Sequence, residues 1–125
     1  MLEKIDLAKL KKEDITQTVK AFSEELGNRK GFKTNQLRKY YNNLMALKSK
    51  HVNGSDFDSL ALDLGIFASK VEYGVIKADR RDEEGFKFYK ENIIVGLSDK
   101  IDSFEKFRNF MTVMEAVVAY FPKTN

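Results

Sequence analysis

Residues 104–121 read FEKFRNFMTVMEAVVAYF and form the most apolar segment of the chain. At about 100° per residue, their large apolar side chains cover an arc of about 140° on a helical wheel. These side chains are Phe104, Phe107, Phe110, Met111, Met114, Val117, Val118 and Phe121. A stripe of that width predicts a helix that contacts more than one neighbour and lies at the centre of the core. Asp102, with Glu105 three residues later, is predicted to cap its start.

Four further helices are predicted on the N-terminal side of this segment. Gly27 follows the apolar repeat of the first helix and is predicted as the residue just beyond its end. Thr34 is a favourable N-cap for the second helix. Ser55 with Asp58 is an acidic variant of the capping box and is predicted to open the third helix. The predicted ranges are 13–26, 34–50, 55–78 and 86–97.

The predicted fold is all-α, a compact bundle of about five helices. No segment alternates apolar and polar residues between hairpin turns, which argues against a β-sheet. A length of 125 residues is typical of one domain, which we expect to span residues 1–125. Residues 1–12 are predicted as a loose arm or a short helix.

Composition predicts a cytoplasmic protein that does not enter the membrane. The chain has no cysteine, which removes disulfides and thiolate metal sites and fits a reducing compartment. Residues 1–12 lack the apolar run of a signal peptide. No run approaches the roughly 18 apolar residues that a membrane-spanning helix needs.

The charge of the chain is unevenly distributed. Residues 26–55 contain seven Lys or Arg residues and no Asp or Glu, whereas the remainder holds 15 basic and 19 acidic side chains. Such asymmetry creates a local positive field that attracts a polyanion. On a helical wheel, Arg38 and Asn42 share one flank of the second helix, and Lys39, Asn43 and Lys50 share the other. Phosphate groups bind such surfaces through charge and counterion release.

Signatures of catalysis are nearly absent. The sequence has no Gly-rich phosphate loop, no HExxH and no G-x-S-x-G motif. The only histidine, His51, follows a basic helix, where interaction of the imidazolium with the helix C-terminus explains it. The acidic residues Asp82, Glu83 and Glu84 lie on a charged connection, where we expect solvation in preference to a bound divalent cation. We therefore expect no enzyme, no cofactor and no metal site.

Composition alone leaves more than one partner open. An acidic protein and a nucleic acid are equally compatible with the basic segment. One alternative function is a DNA-binding regulator that uses the 34–50 helix for recognition and dimerises with two-fold symmetry. Another is a protein–protein adaptor whose basic face meets an acidic partner.

Two segments resemble one known family. The run FKTNQLRKY at 32–40 is similar to a signature of the small helical subunit of type III-A CRISPR effector complexes, the Csm complex. The residues FEKF at 104–107 and MEAVVAYF at 114–121 are similar to that family's C-terminal motif. Departures are mild, because Leu37 stands for the usual Ile and Phe32 for the usual Leu, and both preserve apolar burial.

The resemblance implies a non-catalytic, RNA-binding structural subunit that acts in antiviral defence. Its partners would be the guide RNA (crRNA), the target RNA, the backbone and large subunits, and other copies of itself. Gln36, Arg38 and Lys39 would face the RNA or shape the surface that does, and Thr34 would cap their helix. With the basic segment, this gives the candidate RNA-binding residues Lys33, Thr34, Gln36, Arg38, Lys39, Asn42, Lys48 and Lys50. Whether Lys77, Arg80, Arg81, Lys87 and Lys90 join them stays open.

Overall fold

The computed structural model describes residues 1–54 and 56–123. These residues form five α-helices and no β-strand, which confirms the predicted all-α bundle of about five helices. The helices are α1 (Lys20–Asn28), α2 (Thr34–Lys50), α3 (Phe57–Lys77), α4 (Glu83–Tyr89) and α5 (Phe104–Tyr120). The π-helical turn Asp14–Val19 runs into α1, and a second, Lys90–Val95, continues α4. Short 3-10 turns occupy Leu2–Lys4 and Ser98–Lys100.

Helix α5 is the centre of the core, as its broad apolar arc predicts. It packs against α1, α2 and the π-helical turn before α1. The side chains of Phe107, Phe110, Met114 and Val117 are buried. The hydroxyl of Ser23, itself buried on α1, donates a 2.6 Å hydrogen bond to the Val117 carbonyl and so joins the two helices. Burial of an apolar stripe on several neighbours is the main source of stability for such a helix.

The residue that caps α5 is Ser103, so the prediction of Asp102 was wrong by one position. Ser103 has an extended backbone, and its hydroxyl accepts a 3.1 Å hydrogen bond from the Lys106 N–H. Asp102 lies one residue farther out, where its carboxylate pairs with the Lys106 ammonium at 3.0 Å. The position of the extended backbone therefore decides which of two suitable residues acts as the cap.

The predicted ends of α1 and α2 also need correction. Helix α1 continues to Asn28, so Gly27 lies inside it. A Cβ atom at Gly27 would come within 2.6 Å of the Pro122 ring, which makes this glycine a site of close packing and not a helix terminator. At the start of α2 the N-cap is Lys33 and Thr34 is the first helical residue, with no side-chain cap. The predicted capping role of Thr34 is therefore wrong.

The N-cap of α3 lies one residue, and the first residue of α4 three residues, from the predicted position. Asp56 caps α3 and accepts a 3.2 Å hydrogen bond from the Ser59 N–H, whereas the predicted Ser55 lies outside the described residues. Helix α4 begins at Glu83, inside the segment predicted as a connection. Glu83 pairs with Lys87 at 3.0 Å, one turn later, and an acid in the first turn favours a helix start.

The first residues of the chain lie against the bundle. Leu2, Ile5 and Leu7 are buried. The Leu2 N–H donates a 3.0 Å hydrogen bond to the buried Asn92 side chain, and the Asn109 amide donates at 2.6 Å to the Leu7 carbonyl. The segment predicted as a loose arm or a short helix is thus a 3-10 turn followed by an irregular stretch with one further turn, and specific contacts hold it against the bundle.

An aromatic cluster attaches the loop between α1 and α2 to the rest of the bundle. The buried Phe32 ring stacks on Tyr89 with centroids 5.0 Å apart and meets Phe86 edge-on at 5.3 Å. Tyr40 also stacks with Tyr89, with centroids 5.1 Å apart, and meets Phe67 of α3 edge-on. Burial raises the pKa of the Tyr89 hydroxyl well above its ordinary value. The cluster fixes the position from which the basic segment projects.

Candidate nucleic-acid interface

The basic loop before α2 has a defined geometry. Gly31 has φ of +88°, in the left-handed region that favours glycine. The Gly85 N–H of α4 donates a 2.9 Å hydrogen bond to the Lys30 carbonyl, which fastens the loop to that helix. The backbone turn at Gly31, this hydrogen bond and the buried Phe32 ring together fix the loop. The side chains of Lys30 and Lys33 are exposed on its surface.

Arg29 serves this loop as a structural contact. Its guanidinium pairs with Glu25 at 2.9 Å and with Glu84 at 3.3 Å. The same group lies 4.2 Å from the centroid of the Phe88 ring, a favourable cation–π distance. The Arg29 guanidinium is therefore already bound by two carboxylates and an aromatic face. It is poorly placed to bind a phosphate.

Helix α2 lies between α3 and α5, so each of its outward flanks borders a different neighbour. An open cleft of about 910 Å³ lies along one side of the contact between α2 and α3. Lys39, Gln36 and Asn43 line it from α2. Lys70 and Lys77 line it from α3, together with Ser69, Tyr73, Gly74, Tyr40, Ala78 and Phe86.

The cleft has a positive lining. Lys39, Lys70 and Lys77 are exposed, and none of them forms an ion pair with a residue in 1–54 or 56–123. No acidic side chain is among the described residues that line the cleft. The Lys77 ammonium lies 5.6 Å from the centroid of the exposed Tyr73 ring. Amide, hydroxyl and aromatic groups thus accompany three available cations, a combination suited to phosphate and base faces.

The other flank of α2 faces a smaller groove. Arg38 and Thr34 line a depression of about 230 Å³ with the end of α5 and the segment after it, including Lys123. Arg38 is exposed and forms no ion pair with a described residue. The structure therefore separates two neighbours in sequence, Arg38 and Lys39, onto opposite sides of α2, as the helical wheel predicts.

The remaining candidate residues are distributed along the same helix. Asn42 and Lys48 are exposed, and Gln36 is half-buried at the edge of the cleft. Lys50 differs, because its ammonium pairs with the Asp63 carboxylate of α3 at 3.0 Å. Within the candidate set, Lys50 therefore has a structural role that the sequence did not indicate.

His51 takes part in the same contact between α2 and α3. It is the C-cap of α2, in keeping with its predicted position at the helix C-terminus, and its Nε2 also lies 2.7 Å from the Asp63 carboxylate. Hydrogen bonds from His51 first and Lys50 second lower the pKa of the Asp63 carboxyl below its ordinary value. The helix end and a carboxylate of α3 together explain this histidine without catalysis.

The lowered pKa of Asp63 makes a pH dependence testable. A carboxyl whose folded pKa lies below its unfolded pKa contributes stability above the unfolded value and loses it as the pH falls through the folded one. Asp63→Asn should therefore lower the free energy of unfolding at neutral pH and reduce its decline below about pH 4. Urea unfolding of both proteins across that range measures this. Equal pH profiles for wild type and variant would contradict the assignment.

Two of the three acidic residues after α3 form ion pairs. Glu83 pairs with Lys87 and Glu84 with Arg29. Among the described residues, no group of three or more potential metal-ligating side chains is close enough to hold an ion.

Sequence reasoning did not name two lysines of the cleft as site residues. The prediction from sequence leaves Lys77 open and does not include Lys70. The spacing Lys70, Tyr73, Lys77 places all three on one face of a helix, which is a usable signal. This spacing indicates a binding site only once the structure shows that Lys39 lines the same cleft.

Comparison with known families identifies a relationship that covers nearly the whole chain. The model of the family described as Csm2 Type III-A matches residues 9–124. No curated protein and no solved structure is significantly similar to the chain. Within the described residues, no helix has the length and apolar character needed to cross a membrane.

Proposed function

The chain belongs to the Csm2 Type III-A family, a family of structural small subunits of the Csm complex, and from this we propose that it is a non-catalytic subunit that binds RNA. The resemblance drawn from residues 32–40 and 104–121 is thereby confirmed at the level of the family. As a subunit of a type III-A CRISPR complex, the protein would stabilise the guide RNA–target RNA duplex by contacts to its backbone.

The cleft between α2 and α3 is the observation that supports this proposal most directly. Lys39, Lys70 and Lys77 surround it without an acidic neighbour in its lining. Exposed lysines that lack carboxylate partners release counterions when phosphates bind, which favours association without any contact to a base. Arg38 and Lys123, in the groove on the other side of α2, would extend the positive surface toward a second stretch of backbone.

Indifference to sequence suits this role. Specificity in an RNA-guided complex comes from base pairing between guide and target, so the protein needs to recognise only backbone and shape. Lysines act as point charges on flexible stems and adapt to phosphates of any sequence. Gln36 and Asn43, at the edge of the cleft, would add hydrogen bonds to phosphate or 2′-hydroxyl oxygens.

Fluorescence anisotropy tests the proposal with two unrelated guide–target RNA duplexes and one DNA duplex over a series of salt concentrations. We expect similar affinity for both RNAs and a decline with salt. Arg38→Ala combined with Lys39→Ala should weaken both complexes alike and lower the log–log salt slope by about two. The same titrations should then be repeated with the assembled complex that carries the double variant.

The alternatives give different results in the same experiment. A DNA-binding regulator would bind one DNA duplex far more tightly than either RNA. An adaptor would bind no nucleic acid, but would retain an acidic protein partner in a salt-sensitive manner. A loss confined to one RNA sequence would argue against backbone recognition.

A further inference from the structure

The cleft between α2 and α3 contains aromatic rings as well as lysines. Tyr73 lines it from α3, and its side chain is 60% exposed. The half-buried Phe86 ring lines it from α4. Cations and hydrogen-bond donors bind phosphate, so phosphate alone does not account for exposed rings in the same cleft. The rings indicate that the cleft accommodates a flat, apolar group in addition to phosphate.

The order of side chains along α3 matches the order of groups in a nucleotide chain. Lys70, Tyr73 and Lys77 are three and four residues apart, which places them on one face of the helix. At 1.5 Å per residue, the two lysines are about 10 Å apart along the helix axis, with the ring between them. The Lys77 ammonium lies 5.6 Å from the ring centroid. A base held against Tyr73 would therefore have one cation near the phosphate that precedes it and another near the phosphate that follows it.

Gly74 makes room in the floor of the cleft. A glycine within a helix costs about 1 kcal/mol relative to alanine, and the contacts of Gly74 give a reason for one here. A Cβ atom at this position would collide with the Tyr40 hydroxyl and would lie 3.2 Å from the Phe86 ring. The missing side chain allows the buried Tyr40 to line the cleft. The floor therefore offers a ring and a hydroxyl group, and a hydroxyl can both donate to and accept from the edge of a base.

The cleft has the size and lining that are typical of a site for a small molecule. Its volume of about 910 Å³ lies within the range of roughly 300–1,000 Å³ for such sites. Gln36, Asn43 and Ser69 add amide and hydroxyl groups, which can pair with a base edge or a 2′-hydroxyl. The Phe86 ring is held in place by Phe32, which it meets edge-on at 5.3 Å. A wall that is already ordered loses little freedom when a ligand binds.

The rings also determine which state of RNA the cleft can accept. A base can stack on a protein ring only when one of its own faces is free. In a continuous duplex, neighbouring base pairs cover both faces, whereas an unpaired base is available for stacking on an aromatic side chain. Such stacking tolerates any sequence because every base has a π-face. It is therefore compatible with a protein that does not read the sequence.

We propose that the cleft between α2 and α3 binds one unpaired nucleotide of an RNA strand. Its base packs against Tyr73 and Phe86, and its two flanking phosphates lie at Lys70 and Lys77. Lys39 reaches the same strand from α2. This inference rests on the proposed binding of RNA and adds to it a contact with a base.

Anisotropy titrations with three RNA duplexes test the proposal. One duplex is fully paired, the second carries a single unpaired uridine, and the third carries an abasic ribose in place of that uridine. The second and third therefore have the same length and charge. Wild type should bind the uridine duplex about 5- to 100-fold more tightly than the abasic duplex, the range for stacking of one base on an aromatic side chain. Tyr73→Ala should remove this difference, and Tyr73→Phe should retain it.

Tyr120→Ala is the matched control. Tyr120 also lies beside a lysine, with the Lys20 ammonium 6.0 Å from its ring centroid, but it is not among the residues that line the cleft. This variant should retain the preference for the uridine duplex. Because none of these tyrosine variants removes a charge, all should keep the salt slope of wild type. Circular dichroism confirms that each variant is folded.

Fluorescence of 2-aminopurine at the unpaired position reports stacking directly. Stacking on an aromatic ring quenches this base analogue, so wild type and Tyr120→Ala should lower its fluorescence and Tyr73→Ala should not. Equal affinity of wild type for the uridine and abasic duplexes would overturn the inference, and salt-dependent binding of both would leave the proposed function standing. A preference for uridine that persists in Tyr73→Ala would also overturn the inference. Absence of binding to all three duplexes, by the free subunit and by the assembled complex, would contradict the proposed function as well.

Discussion

Replacing Lys39, Lys70 and Lys77 together by alanine is expected to weaken binding to a guide–target RNA duplex by roughly 100- to 1,000-fold at about 0.1 M salt. Each lysine that contacts a phosphate releases about 0.9 of a counterion, so each contact is worth close to tenfold at that salt concentration. The slope of log affinity against log salt should fall by about three. Anisotropy titrations with labelled RNA measure both quantities.

A second triple variant separates the position of the charges from their number. Lys9, Lys11 and Lys12 are exposed and lie outside the cleft lining, so their replacement by alanine removes the same net charge elsewhere. This control should lose much less affinity. Equal losses in both triple variants would mean that RNA responds to net charge alone, and the cleft would then have no special role.

The sequence is sufficient to predict the fold class, because the spacing of apolar residues indicates which side of each helix is buried. The stripe of α5 predicts a helix at the centre of the core, and the structure places α5 there. Helix ends are harder to predict, since they depend on which of two adjacent residues has an extended backbone. Asp102 and Ser103 are both good caps by composition, and only the backbone at Ser103 decides between them.

The role of Gly27 shows a different limit. A glycine at the end of an apolar repeat is typical of a helix terminator. In the structure its lack of a side chain makes room for Pro122, which is distant in sequence. No local pattern carries that information.

The sequence predicts only part of the candidate site. A helical wheel of α2 correctly separates Arg38 from Lys39, because both lie on one regular element. It does not show that α3 supplies the opposite wall of the cleft with Lys70 and Lys77. Nor does it show that Asp63 neutralises Lys50. Both facts arise from contacts between helices that are adjacent only in space.

The second large effect concerns the ring that anchors the basic loop. Phe32→Ala is expected to lower the free energy of unfolding by about 3–5 kcal/mol, the range for a buried phenylalanine. The ring is almost completely inaccessible to solvent and stacks on Tyr89, with Phe86 at its edge. Its removal would leave a cavity between two rigid aromatic rings, which relax poorly into the space.

Urea unfolding followed by circular dichroism measures this loss, and Val52→Ala serves as the control. Val52 is a large apolar residue in a turn, but it is exposed, so its truncation should change stability by less than about 0.5 kcal/mol. Phe32→Leu should fall between the two because it retains part of the buried volume. A loss below about 1 kcal/mol for Phe32→Ala would show that the loop is held chiefly by Gly31 and the hydrogen bond between Lys30 and Gly85. In that case the aromatic cluster would stabilise the bundle without fixing the position of the basic segment.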